Sequence, residues 1–315
     1  MPPDIFLHNR PDFSDLINIV GEEKSIVSAL VEKDYWIMHC LYGLKQIGMK
    51  FELKGGTSLS KGFGIINRFS EDIDIRIEPP EYMDVKVGPN QDTPAHCESR
   101  KLFYDWLANN ITIDGIEDIR RDKDFDDAKY RSGGIRLGYK SHSESLDGLG
   151  NGVLLEAGFD KVTPNTPIDI SSWAYDYAAN KVSIVDNRAM DVVCYNFGYT
   201  FVEKLQTIST RYRQQQEGKK HPQHFMRHYY DVYCLLNEPE VLSFIDSEEY
   251  QEHKKVKFRG KNNPNISENE AFGFNNTKTL QEFEEAYKKT RSLYYKGQPE
   301  FSAIVNRIKK YADRL

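Results

Sequence analysis

The amino-acid sequence predicts a fold that combines helices and strands, in the order helices, strands, helices. Apolar residues recur at helical spacing over residues 13–46, with no proline after Pro11. Residues 72–77 alternate apolar with polar side chains, which is typical of a half-buried strand. Beyond Asp191 the apolar pattern is helical again. We therefore expect an α+β protein with its strands in the first part of the chain.

Length, charge and cysteine content indicate an ordinary globular protein. The chain has 315 residues, 39% of them hydrophobic and 29% charged, which allows a sizeable buried core. The formal net charge of −6 argues against a protein that coats nucleic acid, although it leaves room for local basic patches. The four cysteines are far apart and lack zinc-ligand spacing, so we expect reduced, buried thiols.

Neither a membrane span nor a secretory signal is predicted. The longest mostly apolar run, residues 192–202, is well short of the roughly 20 residues that cross a bilayer. The N-terminus has no basic segment followed by an apolar stretch. We therefore expect a cytoplasmic protein without a membrane partner.

Glycine, proline and alternation signals place the elements of the first predicted domain, residues 1–188. Residues 50–54 alternate, stop at Gly55-Gly56 and lead into a helix start at residues 57–61, which predicts a strand, a glycine turn and a helix. A loop over residues 79–94 precedes a helix over residues 95–108. Further strands are predicted at residues 130–139, 153–159 and 167–170.

A second, mainly helical domain is predicted over residues 189–315. Its polar stretches contain clusters of Asn and Gly, which favour loops. The predicted elements are helices at residues 192–213 and 223–236, a long loop at residues 254–276, and one or two helices over residues 280–315.

Two aspartates on the strand at residues 72–77 are the first candidate site residues. Asp72 and Asp74 are two positions apart, so both project from the polar face of the strand. Mg²⁺ favours one or two carboxylates together with substrate phosphate oxygens. The pair alone is a weak signal, because solvated acids are common on strand faces.

The glycine turn upstream is a candidate phosphate cradle. Gly55 and Gly56 let the backbone approach a phosphate, and the amides and hydroxyls of Thr57 and Ser58 lie where a helix start favours an anion. A glycine turn with a helix cap is the structural alternative. The position of the turn, one helix before paired aspartates, favours nucleotide binding.

Residues 55–61 and 68–74, which read GGTSLSK and RFSEDID, resemble the signature of polymerase-beta-type nucleotidyltransferases. More narrowly they are similar to the AbiEii/AbiGii toxin family, which includes the MenT toxins. That family has a Gly-Gly-Thr-x-Leu-x-Lys turn followed by Arg-x-Ser-x-Asp-x-Asp. The similarity extends to residues 32–36, 203–205 and 227–235; His228 departs from it, standing where the family often has an aspartate.

The resemblance implies an α+β nucleotidyltransferase core with a mixed sheet, N-terminal helices and a mainly helical C-terminal domain. It implies Mg²⁺-dependent transfer of a nucleoside monophosphate from an NTP. For characterised relatives the implied acceptor is the 3′ end of tRNA, and the toxin is usually paired with a separate antitoxin protein. Two alternatives stay open: transfer to a small molecule or a protein, and an inactive fold that serves as a binding module.

The resemblance also implies roles for individual residues. Asp72 and Asp74 would hold the metal, and Glu156, on a later apolar strand, is a candidate third ligand or a structural acid. Lys204 would neutralise the triphosphate, or be a solvated helix lysine. Asp231 would act in the active site, or form an i,i+4 salt bridge with Arg227. The predicted nucleotide-binding residues are Gly55, Gly56, Thr57, Ser58, Lys61, Arg68, Ser70 and Lys204.

Three further groups have two interpretations each. Lys33 and Asp34 belong either to the site or to a surface ion pair. His224 and His228 have the i,i+4 spacing of metal ligands, but without a third ligand they fit an exposed basic face better, together with His221 and the lysines at 219 and 220. Residues 254–261 form a second cationic stretch, which either contacts RNA phosphates or is simply solvated.

Overall fold

The chain divides into two compact units, seen here in a computed structural model. The first unit comprises Met1–Gly62 and Ser70–Tyr195, and the second comprises Phe63–Phe69 and Asn196–Leu315. The structure describes residues 5–146, 148–218, 225–274 and 276–315. None of the helices in these residues combines the length and the hydrophobicity that a membrane span requires.

Helices of the first unit flank a sheet. The helical spacing over residues 13–46 predicted two or three helices; the structure has two, α1 and α2, and the helix predicted at residues 95–108 is α4. Helix α2 is buried along nearly its whole length because it packs against α1, α5 and the sheet. The helices are α1 (Phe13–Lys24), α2 (Ser28–Gln46), α3 (Gly55–Thr57), α4 (Pro94–Asn110) and α5 (Trp173–Ala178).

Seven strands form one mixed sheet within the described part of the first unit. Their order across the sheet is β3-β4-β5-β2-β1-β7-β6. Strand β2 lies near the centre, antiparallel to β1 and parallel to β5. The strands are β1 (Phe51–Lys54), β2 (Asp72–Ile77), β3 (Ile116–Asp122), β4 (Ser132–Tyr139), β5 (Val153–Gly158), β6 (Asn165–Ile170) and β7 (Ala189–Tyr195).

The second unit is helical in all its described elements. Its helices are α6 (Phe197–Gln216), α7 (Arg227–Leu235), α8 (Pro239–Ile245), α9 (Glu248–Lys257), α10 (Glu270–Gly273), α11 (Thr277–Lys288) and α12 (Phe301–Tyr311). The two closing helices agree with the prediction for residues 280–315. The first two residues of the helix predicted at 223–236 lie outside the described residues.

Two predicted elements are wrong in part, and one strand was missed. Residues 192–195 belong to β7, because their apolar run pairs with β6, and helix α6 begins only after Asn196, whose side chain accepts a hydrogen bond from Gly198. The loop predicted at residues 254–276 contains the end of α9 and all of α10; Asn269 caps α10 rather than marking a loop. The sequence also gave no sign of β3, an edge strand with few apolar residues.

The predicted division after residue 188 differs from the two units at two places. Strand β7 belongs to the first unit because it pairs with β1 and β6. The segment Phe63–Phe69 belongs to the second unit. Its backbone forms a hydrogen bond within that unit: the Phe69 amide donates to the Leu293 carbonyl over 2.7 Å.

Candidate active site

The candidate metal ligands lie together on one face of the central strands. On β2 the three isoleucines are buried, while Asp72 and Asp74 are only partly so and share the opposite face, as predicted. Asp74 is in register with Glu156 on the parallel strand β5, so their side chains leave the same side of the sheet. We call Asp72, Asp74 and Glu156 the acid-bearing face.

The glycine turn packs directly against this face. Gly55 has a φ of +71°, and a Cβ placed there would lie 2.2 Å from the Asp74 Oδ2 atom. Only glycine fits both the left-handed backbone and the close approach of the carboxylate. The predicted turn therefore exists, but the helix after it is short: α3 continues only as a π-helical turn over Ser58–Gly62.

The hydroxyl groups of the turn bond to the backbone. Thr57, fully buried, donates its hydroxyl hydrogen to the Asp72 carbonyl, and Ser58 donates to the Gly55 carbonyl over 3.0 Å. These bonds tie the turn to the start of β2. A phosphate role for the backbone amides of this turn stays a prediction.

Lys61 and Asp34 form an ion pair beside the turn. The Lys61 Nζ atom lies 2.8 Å from Asp34 Oδ1 and over the ring of Trp173 at 5.3 Å. Burial raises the pKa of Asp34, and the charge of Lys61 opposes that shift. Lys33 and Asp34 are both buried, so their interpretation as a surface pair is wrong. Ser70, also predicted to bind nucleotide, is buried just ahead of β2.

The remaining predicted site residues form a buried ion cluster in the second unit. Arg68 binds both carboxylate oxygens of Asp231, with its Nε atom 2.6 Å from Oδ1 and its Nη2 atom 2.7 Å from Oδ2. The Lys204 Nζ atom lies 3.0 Å from Asp231 Oδ2. All three residues are buried. We call Arg68, Lys204 and Asp231 the ion cluster.

This geometry removes two structural alternatives. Lys204 is not a solvated lysine, since it is buried on α6 beside the apolar Phe201, Leu205 and Ile208. Asp231 has its cations at residues 68 and 204, so a plain salt bridge to Arg227 does not account for it. Burial would raise the pKa of Asp231, but the charges of Arg68 and Lys204 outweigh it and hold that pKa well below its usual range.

The residues of the predicted basic face that the structure describes give it no support. His228 is not an exposed cation: burial, and then the charge of Lys204, hold its pKa well below the usual range. In the stretch 254–261, Lys254 donates to the Leu315 carbonyl over 2.5 Å and Lys257 pairs with Glu203 at 2.6 Å. Both are therefore engaged within the unit. The lysines at 219 and 220 and the histidines at 221 and 224 lie outside the described residues.

The donor set suits a metal that substrate helps to bind. Across the described residues, no three His, Cys, Asp or Glu side chains converge into a ready-made metal cluster, so Glu156 completes no such cluster with the two aspartates. Mg²⁺ does not require one, since it binds through one or two carboxylates, phosphate oxygens and water. Asp72 and Asp74 on one partly exposed face fit that pattern.

Two residues near the face were missed from the sequence. Lys54 is the register partner of Asp74 on β1, so a cation stands beside the carboxylate on the same face. Glu71 accepts a hydrogen bond from the Gly150 amide over 2.8 Å. The alternation of residues 50–54 contained the signal for Lys54; Glu71 had no signal beyond its place next to Asp72.

Comparisons with known proteins agree with this fold. The sequence profile described as "Nucleotidyl transferase AbiEii toxin, Type IV TA system" matches residues 39–307. MenT4, a nucleotidyltransferase toxin from Mycobacterium tuberculosis H37Rv, superposes with a TM-score of 0.56 at 14% identity, covering 95% of this chain and 88% of MenT4. No curated protein matches the sequence. The likeness to MenT4 shows a shared fold and confirms the α+β prediction.

Proposed function

The chain belongs to the AbiEii nucleotidyltransferase toxin family, and from this premise we propose that it transfers a nucleoside monophosphate from an NTP to the 3′ end of tRNA, with Mg²⁺ as cofactor. Membership makes it a nucleotidyltransferase toxin of a type IV toxin–antitoxin system. The resemblance had implied a nucleotidyltransferase toxin paired with an antitoxin, without the type. The acceptor and the metal go beyond membership. So do a cytoplasmic place of action and a cognate antitoxin encoded separately.

The observation that carries the proposal is the packing of the Asp74 carboxylate against Gly55. That contact joins the glycine turn and the acid-bearing face into one surface, with Asp72 on the same side of β2. A turn that admits phosphate next to carboxylates that attract a divalent cation is what a triphosphate needs. The partial exposure of the face leaves it open to substrate.

In the proposed reaction, the 3′ hydroxyl oxygen of the RNA bonds to the α-phosphorus of the NTP. The bond from that phosphorus to the bridging oxygen breaks, pyrophosphate leaves with the electron pair, and the hydroxyl proton passes to solvent water. Mg²⁺ bound by Asp72 and Asp74 would supply charge neutralisation at the phosphates. Gly55 keeps the turn close to Asp74, and Lys61, fixed by Asp34, offers a cation for the phosphates.

We assign different roles within the ion cluster. Lys204 stays a proposed triphosphate contact, as a point charge. Asp231 and Arg68 are positioning residues instead, because each is buried and satisfied by the other in a bidentate pair. Both oxygens of the Asp231 carboxylate accept hydrogen bonds from Arg68, which fixes the two side chains in one arrangement.

The test offers each α-labelled NTP with Mg²⁺ and two tRNA samples, one intact and one whose 3′ end has been oxidised with periodate. We expect label on intact tRNA alone, and none with Asp72→Asn. Label on both tRNA samples, on protein or on a small acceptor would contradict the tRNA 3′ end as the acceptor and would support the alternative acceptors. Absence of both transfer and NTP binding would favour a binding module.

A growth assay tests the toxin assignment in cells. Expression of the wild type should stop growth and expression of Asp72→Asn should not. A neighbouring gene that restores growth would identify the antitoxin. Unimpaired growth with the active protein would contradict the proposed acceptor, because a blocked tRNA end stops aminoacylation.

A further inference from the structure

Three consecutive charged residues of α2 are buried: Glu32, Lys33 and Asp34, each about 1% exposed. We call them the EKD triplet. Burying a charge is costly unless hydrogen bonds or an opposite charge compensate it. Each member of the triplet meets that need in a different segment of the first unit.

The outer two members each bind another segment of the first unit. The Glu32 carboxylate accepts hydrogen bonds from the amides of His142 and Ser143, both over 2.9 Å. Asp34 accepts one from the Trp173 amide over 2.8 Å and pairs with Lys61.

Lys33 is different, because it closes a ring at the acid-bearing strands. Its Nζ atom donates to the Gly150 carbonyl over 2.6 Å and lies 3.5 Å from Glu71 Oε2. The same Glu71 oxygen accepts a hydrogen bond from the Gly150 amide over 2.8 Å. Three residues far apart in the sequence are thereby fixed to one another.

The ring lies where both acid-bearing strands begin. Glu71 immediately precedes Asp72, the first residue of β2, and Gly150 comes three residues before the start of β5. The two strands run parallel, with Asp74 opposite Glu156. Burial lowers the pKa of Lys33, whereas the charges of Glu71 and Asp72 oppose that shift, so an anionic surrounding supports the ammonium form.

We propose that Lys33 is a positioning residue for nucleotidyl transfer, which sets the placement of Asp72, Asp74 and Glu156 by locking Glu71 to Gly150. The inference rests on the proposed function, because only a metal-binding role makes that placement matter. Lys33 itself is too deeply buried to contact substrate.

Lys45, which is half-buried, provides a control lysine on the same helix. Its Nζ atom also donates to two backbone carbonyls, those of Met190 and Asp191, the latter over 2.8 Å. Those carbonyls belong to β7, which contains none of the acid-bearing residues. Lys45 is thus a lysine clamp on a strand outside the proposed metal site.

The kinetic test compares Lys33→Met, Lys33→Arg and Lys45→Met by the Mg²⁺ dependence of transfer. For Lys33→Met we expect kcat to fall about 10- to 100-fold, as for a small displacement of reacting groups. We also expect half-saturation at higher Mg²⁺, while the KM for NTP changes less than about twofold. Lys33→Arg should recover most of the activity, and Lys45→Met should respond to Mg²⁺ as the wild type does.

Hydrogen exchange gives a readout that needs no activity. In Lys33→Met, the Gly150 amide and its neighbours up to Val153 should exchange faster, while α6 stays unchanged. If Lys33→Met does not fold, Glu71→Met removes the acceptor oxygen from the same ring and leaves the Lys33–Gly150 bond in place. It should show the same Mg²⁺ shift, in a smaller measure.

Several results would overturn the proposal. Wild-type Mg²⁺ dependence in Lys33→Met would do so, as would equal losses in Lys33→Met and Lys45→Met, or no recovery in Lys33→Arg. Unchanged exchange at Gly150 would show that the ring does not hold the strands. If instead the wild type neither binds NTP nor transfers label, the proposed function fails, and exchange alone still decides whether Lys33 fixes the two strands.

Discussion

Aspartates from two different motifs of the family have opposite environments in the two units. On the acid-bearing face the carboxylates are partly exposed and lie next to a glycine turn. In the ion cluster the carboxylate of Asp231 is fully buried and bound by two cations. The family motifs mark all of these aspartates as site residues. Their burial distinguishes a carboxylate that is accessible to a metal from one that is paired with neighbouring cations.

The difference has a consequence for mutation. Removing a partly exposed carboxylate should change the free energy of unfolding little, so its effect should be on the rate of transfer. A buried one leaves uncompensated charges behind when it is removed, so the loss would appear in folding. The following substitutions measure that contrast.

The largest effect on stability should come from Asp231→Ala. It leaves Arg68 and Lys204 buried without their counter-ion, which should lower the free energy of unfolding by about 3–5 kcal/mol. The matched control is Asp246→Ala, since Asp246 pairs with Arg314 at 2.7 Å but is largely exposed. That exposed pair should contribute at most about 1 kcal/mol in chemical denaturation.

The pH dependence sharpens the same prediction. The folded-state pKa of Asp231 is depressed, so its stabilising contribution is complete above the unfolded value of 3.8 and is lost only as the pH falls below it. The difference between wild type and Asp231→Ala should therefore be equal at pH 8 and pH 5. A difference that shrinks by pH 5, or is no larger than in Asp246→Ala, would contradict the buried ion cluster.

A smaller effect is expected at the glycine turn. Gly55 and Gly48 both have positive φ, but a Cβ at Gly48 meets nothing within 4 Å, whereas one at Gly55 collides with Asp74. Gly48→Ala should lower the free energy of unfolding by about 1–2 kcal/mol, from backbone strain alone. Gly55→Ala should lower the free energy of unfolding by more than Gly48→Ala does. It should also reduce nucleotidyl transfer about 10- to 100-fold, because the Asp74 carboxylate has to move. Equal rates of nucleotidyl transfer by both variants would show that the glycine turn is not part of the active site.

Much of this site could be predicted because its signals are local. The alternation of residues 72–77 fixes which face Asp72 and Asp74 share, and Gly55-Gly56 marks a turn that side chains would block. The register of Asp74 with Glu156 follows from strand pairing, which the sequence does not specify. Glu156 could be named as a candidate but not placed.

What could not be predicted depends on long-range contacts. Nothing near Arg68 indicates that it binds Asp231, 163 positions later. Helical periodicity also gave the wrong boundary at residues 192–195, because a short run of valines suits a buried strand as well as a helix. The EKD triplet is buried because other elements pack on both sides of α2. Its three charged residues alone would have predicted an exposed face.

The central claim is that the acid-bearing face binds the metal of the transfer reaction, and Asp74→Asn tests it most directly. The amide keeps the shape of the side chain but removes its charge. We expect transfer of label from NTP at saturating Mg²⁺ to fall about 100-fold or more, while the free energy of unfolding stays within about 1 kcal/mol of the wild type. Transfer at the wild-type rate, or a loss of activity that only accompanies unfolding, would contradict the account.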